Sequence, residues 1–149
     1  MPSHHERRRL PYTQQQLFDL VADVEKYPEF IPWFAAVRIR QRDAKAWDVD
    51  QVIRFKGMRA RFTTHAVLEP PDRIVIDTTD PPFRNFAQRW SFAPAQDGTL
   101  VDYESTLELR STVLQHAMQA LFDERQVARE TVDCFAQRAQ RLYGPAAAS

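Results

Sequence analysis

The chain has 149 residues, of which 44% are hydrophobic and 27% are charged, and its 20 basic and 20 acidic residues give a formal net charge of zero. This balance is typical of one globular domain with a sizeable core and excludes a disordered chain. A zero net charge offers no general attraction for nucleic acid, so no DNA partner is expected. Three glycines are too few for a glycine-rich phosphate loop, and a single cysteine leaves no internal disulfide.

The sequence shows no signal for export or membrane insertion. Its apolar runs are far shorter than the roughly 18 to 20 residues that cross a bilayer. The N-terminal stretch MPSHHERRRL lacks the apolar segment of a secretory signal. We therefore expect a cytoplasmic protein, peripheral at most on the inner face of the plasma membrane. No metal centre is expected, because the only closely spaced histidines, His4 and His5, point to opposite faces of a strand.

The N-terminal part predicts a strand followed by an amphipathic helix. The segment HHERRRL forms the strand. Thr13 and Gln16 then have the spacing of a capping box, and apolar residues recur at intervals of three and four. Pro28 and Pro32 end this helix and permit only a short second helical turn in the stretch YPEFIPWF.

Residues 35 to about 110 change to a period of two, which predicts six strands. Turn signals such as KGM, EPPD, DPPF and AQDG separate the runs. One-faced alternation between short turns indicates an antiparallel meander with one apolar and one polar face. The arginines of AAVRIRQR, at positions 38, 40 and 42, are assigned to the polar face.

The C-terminal part predicts one long helix from Ser111 to about Tyr143. Ser111 is a suitable N-cap, and Gly144 and Pro145 are a natural stop. The fold class is therefore α+β, with a curved antiparallel sheet wrapped around the C-terminal helix and two short N-terminal helices. Such a sheet seldom closes at both ends, so we expect a cavity between sheet and helix. Residues 1–145 form the single domain, and 146–149 a frayed tail.

Four segments of the sequence carry a family resemblance. They are LPYTQQQLFDLVADVEKYPEFIPWF, IRFKGMRARFTTHAVLEPPDRI, DPPFRNFAQRWSF and the C-terminal LELRSTVLQHAMQALFDERQVARETVDCFAQRAQRLYG. The chain resembles the START-like helix-grip superfamily, in its coenzyme Q-binding/RatA branch, often labelled polyketide cyclase/dehydrase. The resemblance implies seven strands, a hydrophobic tunnel, and ubiquinone or another isoprenoid lipid as ligand. Pro81 stands where the family usually has glycine, and because proline fixes φ at about −65°, a turn that needs a positive φ at this position must differ here.

The candidate ligand-binding residues are the large apolar side chains of the predicted tunnel. They are Phe30, Trp33, Phe34, Val37, Phe55, Phe62, Ile74, Ile76, Phe83, Phe86, Trp90, Phe92, Leu107, Met118, Leu121 and Phe122. Each one taken singly is more often plain core. The few polar residues on the same face suit hydrogen bonds to quinone oxygens better than proton transfer, and they are Gln51, Thr64, Gln88, Tyr103 and Ser105. No catalytic group is predicted.

The leading hypothesis is a non-enzymatic ubiquinone-binding lipid chaperone that supports respiratory electron transport at a membrane surface. One alternative is a RatA-like protein that binds the large ribosomal subunit and blocks subunit joining. A less favoured alternative is a polyketide aromatase/cyclase, which needs a catalytic polar pair. The stretch YPEFIPWF is then either a gate that enters lipid headgroups or a lid packed on the core.

Overall fold

The computed structural model describes residues 3–55, 57–121 and 123–144, with the side chains of Phe55, Met58 and Leu121 excepted. The predicted tunnel residues Phe55 and Leu121 are therefore described by their backbone only. The predicted tunnel residue Phe122 and the predicted tail 146–149 lie outside the described residues altogether.

The N-terminal elements agree with the sequence pattern. Strand β1 spans Ser3–Leu10, helix α1 spans Gln14–Ala22, and a short 3-10 helix spans Val24–Glu29. The capping box of α1 is formed, because Thr13 Oγ1 accepts from the Gln16 backbone N–H at 3.1 Å and Gln16 Oε1 accepts from that of Thr13 at 3.0 Å. This reciprocal pair satisfies two backbone donors at the start of the helix.

Seven antiparallel strands form one sheet, as expected. After β1 come β2 (Phe34–Arg42), β3 (Ala46–Phe55), β4 (Met58–Glu69), β5 (Arg73–Thr78), β6 (Phe83–Ala95) and β7 (Gly98–Leu109). The strand order is β1-β7-β6-β5-β4-β3-β2, so the first strand pairs with the last and β1 and β2 are the two edges. The buried side chains of β3 to β7 make the inner face of the sheet and alternate along the strands, except at the start of β6, where a shift in pairing between Phe83 and Asn85 brings Phe83 and Phe86 to the same face.

Strand β2 departs from simple alternation. Its pairing with β3 shifts between Phe34 and Ala36 and again between Ile39 and Gln41. A bulge adds one residue and turns the following side chains to the other face. The assignment of Arg42 to the polar face was therefore wrong: Arg42 opposes Trp47, and its guanidinium carbon lies 4.6 Å from the centre of the Trp47 ring.

The C-terminal helix is divided, and the prediction of one continuous helix was wrong. Helix α2 spans Thr112–Leu121 and α3 spans Glu124–Tyr143. Between them Asp123 has extended backbone dihedrals, and its carboxylate accepts from the backbone N–H groups of Arg125 and Gln126. Aspartate competes for local backbone donors in this way and thereby begins a new helix. Helix α3 packs on β1 and β7 and on α1.

Candidate ligand-binding site

A group of aromatic rings fills the space between the sheet and α3. Trp90 on β6 lies 4.9 Å from Phe135 on α3 and 4.4 Å from Tyr103 on β7, measured between ring centres. The Phe135 ring also receives the edges of Tyr27 and Phe30, each at 5.2 Å. Trp90 is only 2% exposed, so this group is deep in the structure.

A second aromatic group lies further along the same inner face. Phe62 on β4 is 4.8 Å from Phe83 and 5.6 Å from Phe86, and the last two rings are 5.1 Å apart. Since a strand advances about 3.3 Å per residue, Phe86 and Trp90 are roughly 13 Å apart along β6. The two aromatic groups therefore flank a middle zone of the inner face.

Polar side chains line that middle zone. Gln88 lies on β6 between the two groups, and its Nε2 donates to the phenol oxygen of Tyr103 at 2.9 Å. A separate pair joins β3 and β4, where Gln51 Nε2 donates to Thr64 Oγ1 at 2.8 Å. Thr64 is 1% exposed. Buried polar groups require partners, and here the partners are one another.

The environment of Tyr103 keeps its phenol neutral. Burial raises the pKa of Tyr103 to about 12, although hydrogen bonds with Ser105, Thr131 and Gln88 act in the opposite direction. Burial also raises the pKa of Tyr27, with a further contribution from Tyr103. At physiological pH Tyr103 thus carries a phenolic proton in the interior between sheet and helix, where it suits hydrogen bonding to a carbonyl oxygen.

The stretch YPEFIPWF is packed on α3 rather than projected into solvent. Tyr27 is buried and its hydroxyl donates to the backbone oxygen of Val21. Phe30 lies between the Phe135 ring and the guanidinium of Arg138, whose central carbon is 5.1 Å from the centre of the Phe30 ring. Phe34 meets Tyr27 edge-on at 5.3 Å. These contacts favour the lid over the gate.

Most of the predicted ligand-binding residues lie on this inner face. Those that are buried are Phe62, Ile74, Ile76, Phe83, Phe86, Trp90, Phe92 and Met118. Those that are partly buried against the same core are Phe30, Trp33, Phe34, Val37 and Leu107. The structure thus brings them to one side of the sheet, while their contact with a ligand stays a prediction.

Sequence reasoning missed Thr131 on α3. Its hydroxyl donates to the Val127 backbone oxygen at 2.8 Å and also lies within hydrogen-bonding reach of Tyr103. Thr131 stands four residues before Phe135, hence on the same helix face, and that spacing was the available signal.

The described residues form neither a metal-binding cluster nor a helix that could span a membrane. Within residues 3–55, 57–121 and 123–144, no three His, Cys, Asp or Glu side chains are grouped so as to hold a metal ion. Among the helices of the same part of the chain, none has the length and hydrophobicity to cross a bilayer.

A curved antiparallel sheet that holds a C-terminal helix, with polar pairs set into an apolar interior, defines the helix-grip class of α+β domains. The family described as "Polyketide cyclase / dehydrase and lipid transport" matches residues 10–136. The chain belongs to this family, and the START-like resemblance of its sequence is confirmed.

The curated proteins that this chain is similar to include a ribosome association toxin and a coenzyme Q-binding protein. The chain is 32% identical over 146 residues to the ribosome association toxin RatA of Pseudomonas aeruginosa, covering 97% of this chain and 100% of that protein. It is 22% identical over 139 residues to the mitochondrial coenzyme Q-binding protein COQ10 of Drosophila melanogaster, covering 90% of this chain and 57% of that protein.

Solved structures confirm the fold. The Zhui aromatase/cyclase of a Streptomyces species superposes with a TM-score of 0.82 at 14% identity, covering 99% of both chains. A START superfamily protein of Mycobacterium smegmatis superposes with a TM-score of 0.73 at 19% identity, covering 94% of this chain and 98% of that one. At these identities the likeness concerns the fold alone.

Proposed function

We propose that this protein is a non-enzymatic carrier of ubiquinone or a related prenyl lipid, which it holds between the sheet and α3 within the domain 1–145. The observation that carries the proposal is the pair Gln88 and Tyr103, hydrogen-bonded at 2.9 Å between two aromatic groups of the inner face. The name of the Drosophila relative, a coenzyme Q-binding protein, supports it.

The chemistry of a quinone headgroup fits this arrangement. A quinone has carbonyl oxygens, which accept hydrogen bonds, on a flat ring that packs against aromatic faces and edges. The side-chain amide of Gln88 and the neutral phenol of Tyr103 supply donors, and Trp90 supplies a flat surface 4.4 Å from the Tyr103 ring. Because Tyr103 accepts from Gln88, this hydrogen bond can persist while the phenol O–H and the second N–H of Gln88 donate to the ligand.

The prenyl tail would follow the apolar residues of the inner face. Each 100 Å² of tail removed from water contributes about 2.5 kcal/mol. In a bilayer the tail is already out of water, so the gain on moving into the protein is small. Transfer therefore takes place at a membrane surface, and we place it at the inner leaflet of the plasma membrane.

Helix α2 is the element we assign to that membrane contact. It carries no Asp, Glu, Lys or Arg, yet Val113 is 78% exposed and Leu114 is 48% exposed. The exposed cations Arg110, Arg125 and Arg129 lie before and after it. Of the two acids in between, Asp123 caps α3 and Glu124 accepts from His4 at 2.8 Å. The Arg110 guanidinium also donates to the backbone oxygens of Phe83 and Thr79, which leaves its charge without a carboxylate partner among the described residues. An apolar helix face flanked by cations complements an anionic lipid surface.

Lipid extraction tests the proposal directly. The protein is purified without detergent, extracted with organic solvent, and the extract is identified by mass spectrometry. We expect a prenyl quinone at a stoichiometric level and, for stripped protein, uptake of ubiquinone from phosphatidylglycerol vesicles. An extract free of prenyl lipids, together with no uptake from vesicles, would rule the carrier function out.

Ribosome association is a second candidate, favoured by the 32% identity along the full length of the Pseudomonas ribosome association toxin. Sedimentation of the protein with purified large ribosomal subunits in a sucrose gradient tests it. We expect co-migration at low salt and reduced joining of the two subunits. Migration at the top of the gradient at every salt concentration would exclude this candidate.

A further inference from the structure

The outer face of β2, β3 and β4 concentrates positive charge. Its five arginines, which we call the arginine face, are Arg38, Arg40, Arg54, Arg59 and Arg61, and all are exposed. None of them forms an ion pair with a residue that the structure describes. The same face also carries two acids of β3: Asp50 opposes Arg38, and Asp48 pairs with His65. Arginines nevertheless outnumber acids on these three strands.

Two of these arginines face each other across neighbouring strands. Arg54 on β3 directly opposes Arg59 on β4. The Cα atoms of such a pair are about 4.5 to 5.5 Å apart, and like charges at this position destabilise a sheet. The next outward pair is Val52 with Arg61, and the first acid on these two strands, Asp50, follows one outward pair further, opposite Thr63. A bound anion would relieve this repulsion.

A cavity of about 380 Å³ opens on the arginine face, and its lining is Arg40, Asp50, Arg61, Phe62, Thr63 and Asp80. Thr63 engages one oxygen of each carboxylate: its Oγ1 donates to Asp50 at 2.7 Å, and its backbone N–H donates to Asp80 at 2.9 Å. The guanidinium groups of Arg40 and Arg61 have no such partner among the described acids and remain available to an incoming anion.

We propose that the arginine face binds the phosphodiester backbone of folded RNA, an inference that rests on the ribosome-association candidate. Guanidinium groups bind phosphate oxygens through two parallel hydrogen bonds. Several cations spread over three strands match a polymer of phosphates better than one small anion. A lipid bilayer fits this face less well, because the outward apolar residues among these arginines are only Val52 and Ala36.

The test compares two triple variants with the same loss of charge. R54Q/R59Q/R61Q neutralises the centre of the arginine face. R9Q/R89Q/R141Q neutralises three exposed arginines on β1, β6 and α3. Binding of a fluorescein-labelled RNA hairpin and of purified large-subunit ribosomal RNA is measured against salt concentration. Each lost phosphate contact lowers the slope of log K against log salt by about 0.7 to 0.9, so we expect a decrease of roughly 2 to 3 for the first triple alone.

Stability gives an independent readout. Removal of the repulsion between Arg54 and Arg59 should leave the melting temperature of the first triple variant unchanged or higher. If that variant does not fold, the single variant R59Q is measured in its place. Its slope of log K against log salt should decrease by about 0.7 to 0.9. No RNA binding by the wild-type protein at low salt, or equal losses in both triples, overturns the proposal.

The outcomes separate this proposal from the function on which it rests. If co-migration with large subunits persists in R54Q/R59Q/R61Q, the arginine face is not the RNA contact although ribosome association stands. If only binding to phosphatidylglycerol vesicles depends on these arginines, the surface binds membranes and the proposal fails. RNA binding that depends on the arginine face supports the proposal when co-migration is lost in the same variant, or when the wild-type protein does not co-migrate with intact subunits.

Discussion

Tyr103 and Gln88 lie diagonally across β7 and β6, and the phenol oxygen of Tyr103 accepts from the amide of Gln88 at 2.9 Å between the two aromatic groups of the inner face. The pair is a buried polar arrangement that the fold does not need for closure, since the rings of Trp90 and Phe135 already bridge sheet and helix. Removing these two polar side chains from water costs free energy, which is a reason to expect that the pair has a function. We assign the pair to recognition of the ligand headgroup.

Tyr103→Phe should therefore weaken quinone binding. The ring stays against Trp90, but one donor to a carbonyl oxygen is lost, and a loss of about 1 to 1.5 kcal/mol corresponds to roughly tenfold in affinity. Titration of stripped protein with a short-chain ubiquinone analogue measures the effect. Tyr143→Phe is the matched control, because its hydroxyl donates to the Gln16 backbone oxygen at an exposed position. Equal affinity of wild type and Tyr103→Phe would contradict the assignment.

The buried tyrosines predict a loss of stability at high pH. The pKa of Tyr103 is raised from 10.0 to about 12, so between these values the folded state holds a proton that the unfolded state releases. This contribution, on the order of 3 kcal/mol, is fully present below pH 10 and is lost as pH rises through 12. Urea unfolding at a series of pH values measures it. Tyr103→Phe should show a shallower fall with pH, and the remaining fall belongs partly to Tyr27, whose pKa is also raised.

Phe135→Ala tests whether the stretch YPEFIPWF is held as core. The Phe135 ring contacts Tyr27, Phe30 and Trp90 at 4.9 to 5.2 Å. Its removal should cost about 3 to 5 kcal/mol of unfolding free energy, because the cavity is surrounded by rings that cannot all collapse into it. Leu142→Ala, at a side chain that is 53% exposed on the same helix, should change stability by less than about 0.5 kcal/mol. A small effect at both sites would mean that the lid is loosely attached.

Much of the sheet could be predicted from sequence because its pattern is local. Thr13 and Gln16 specify the start of α1, and the alternation from Val101 to Leu109 specifies which side of β7 is buried. The change of Arg42 to the other face of the sheet could not be predicted, since a bulge leaves the alternation of residue types intact and changes only the pairing. The same holds for the aromatic lid, whose orientation depends on contacts with α3, more than 100 positions away in the chain.

The break between α2 and α3 is a case where the signal was present. Apolar residues keep a three and four spacing on both sides of it, which favours one helix, but Arg125 interrupts the apolar stripe and Asp123 is a strong N-cap. Asp123→Ala removes the acceptor for the Arg125 and Gln126 backbone N–H groups and should lower the unfolding free energy by about 1 kcal/mol. Asp123→Asn keeps a capping oxygen and should restore most of that loss. Thermal unfolding of the two variants checks this, and identical melting temperatures would contradict it.

The exposed apolar face of α2 predicts where the protein meets lipid. Val113→Ser with Leu114→Ser removes side chains that are 78% and 48% exposed, so the unfolding free energy should fall by less than about 1 kcal/mol. Binding to phosphatidylglycerol vesicles should nevertheless weaken several-fold, because each buried CH₂ group contributes about 0.8 kcal/mol at a membrane surface. Co-sedimentation with vesicles measures binding, and quinone transfer between vesicles should slow in parallel.

The control for α2 is Leu142→Ser, an equally exposed leucine near the end of α3. It matches the Leu114 part of the double variant at a different place on the surface, so it should leave vesicle binding unchanged, and the single variant Leu114→Ser is compared with it directly. Unchanged binding in the α2 double variant, or an equal loss in Leu142→Ser, would contradict docking through α2. A further check uses phosphatidylcholine vesicles, to which wild-type binding should be weaker, since Arg110, Arg125 and Arg129 then have no anionic headgroups to contact.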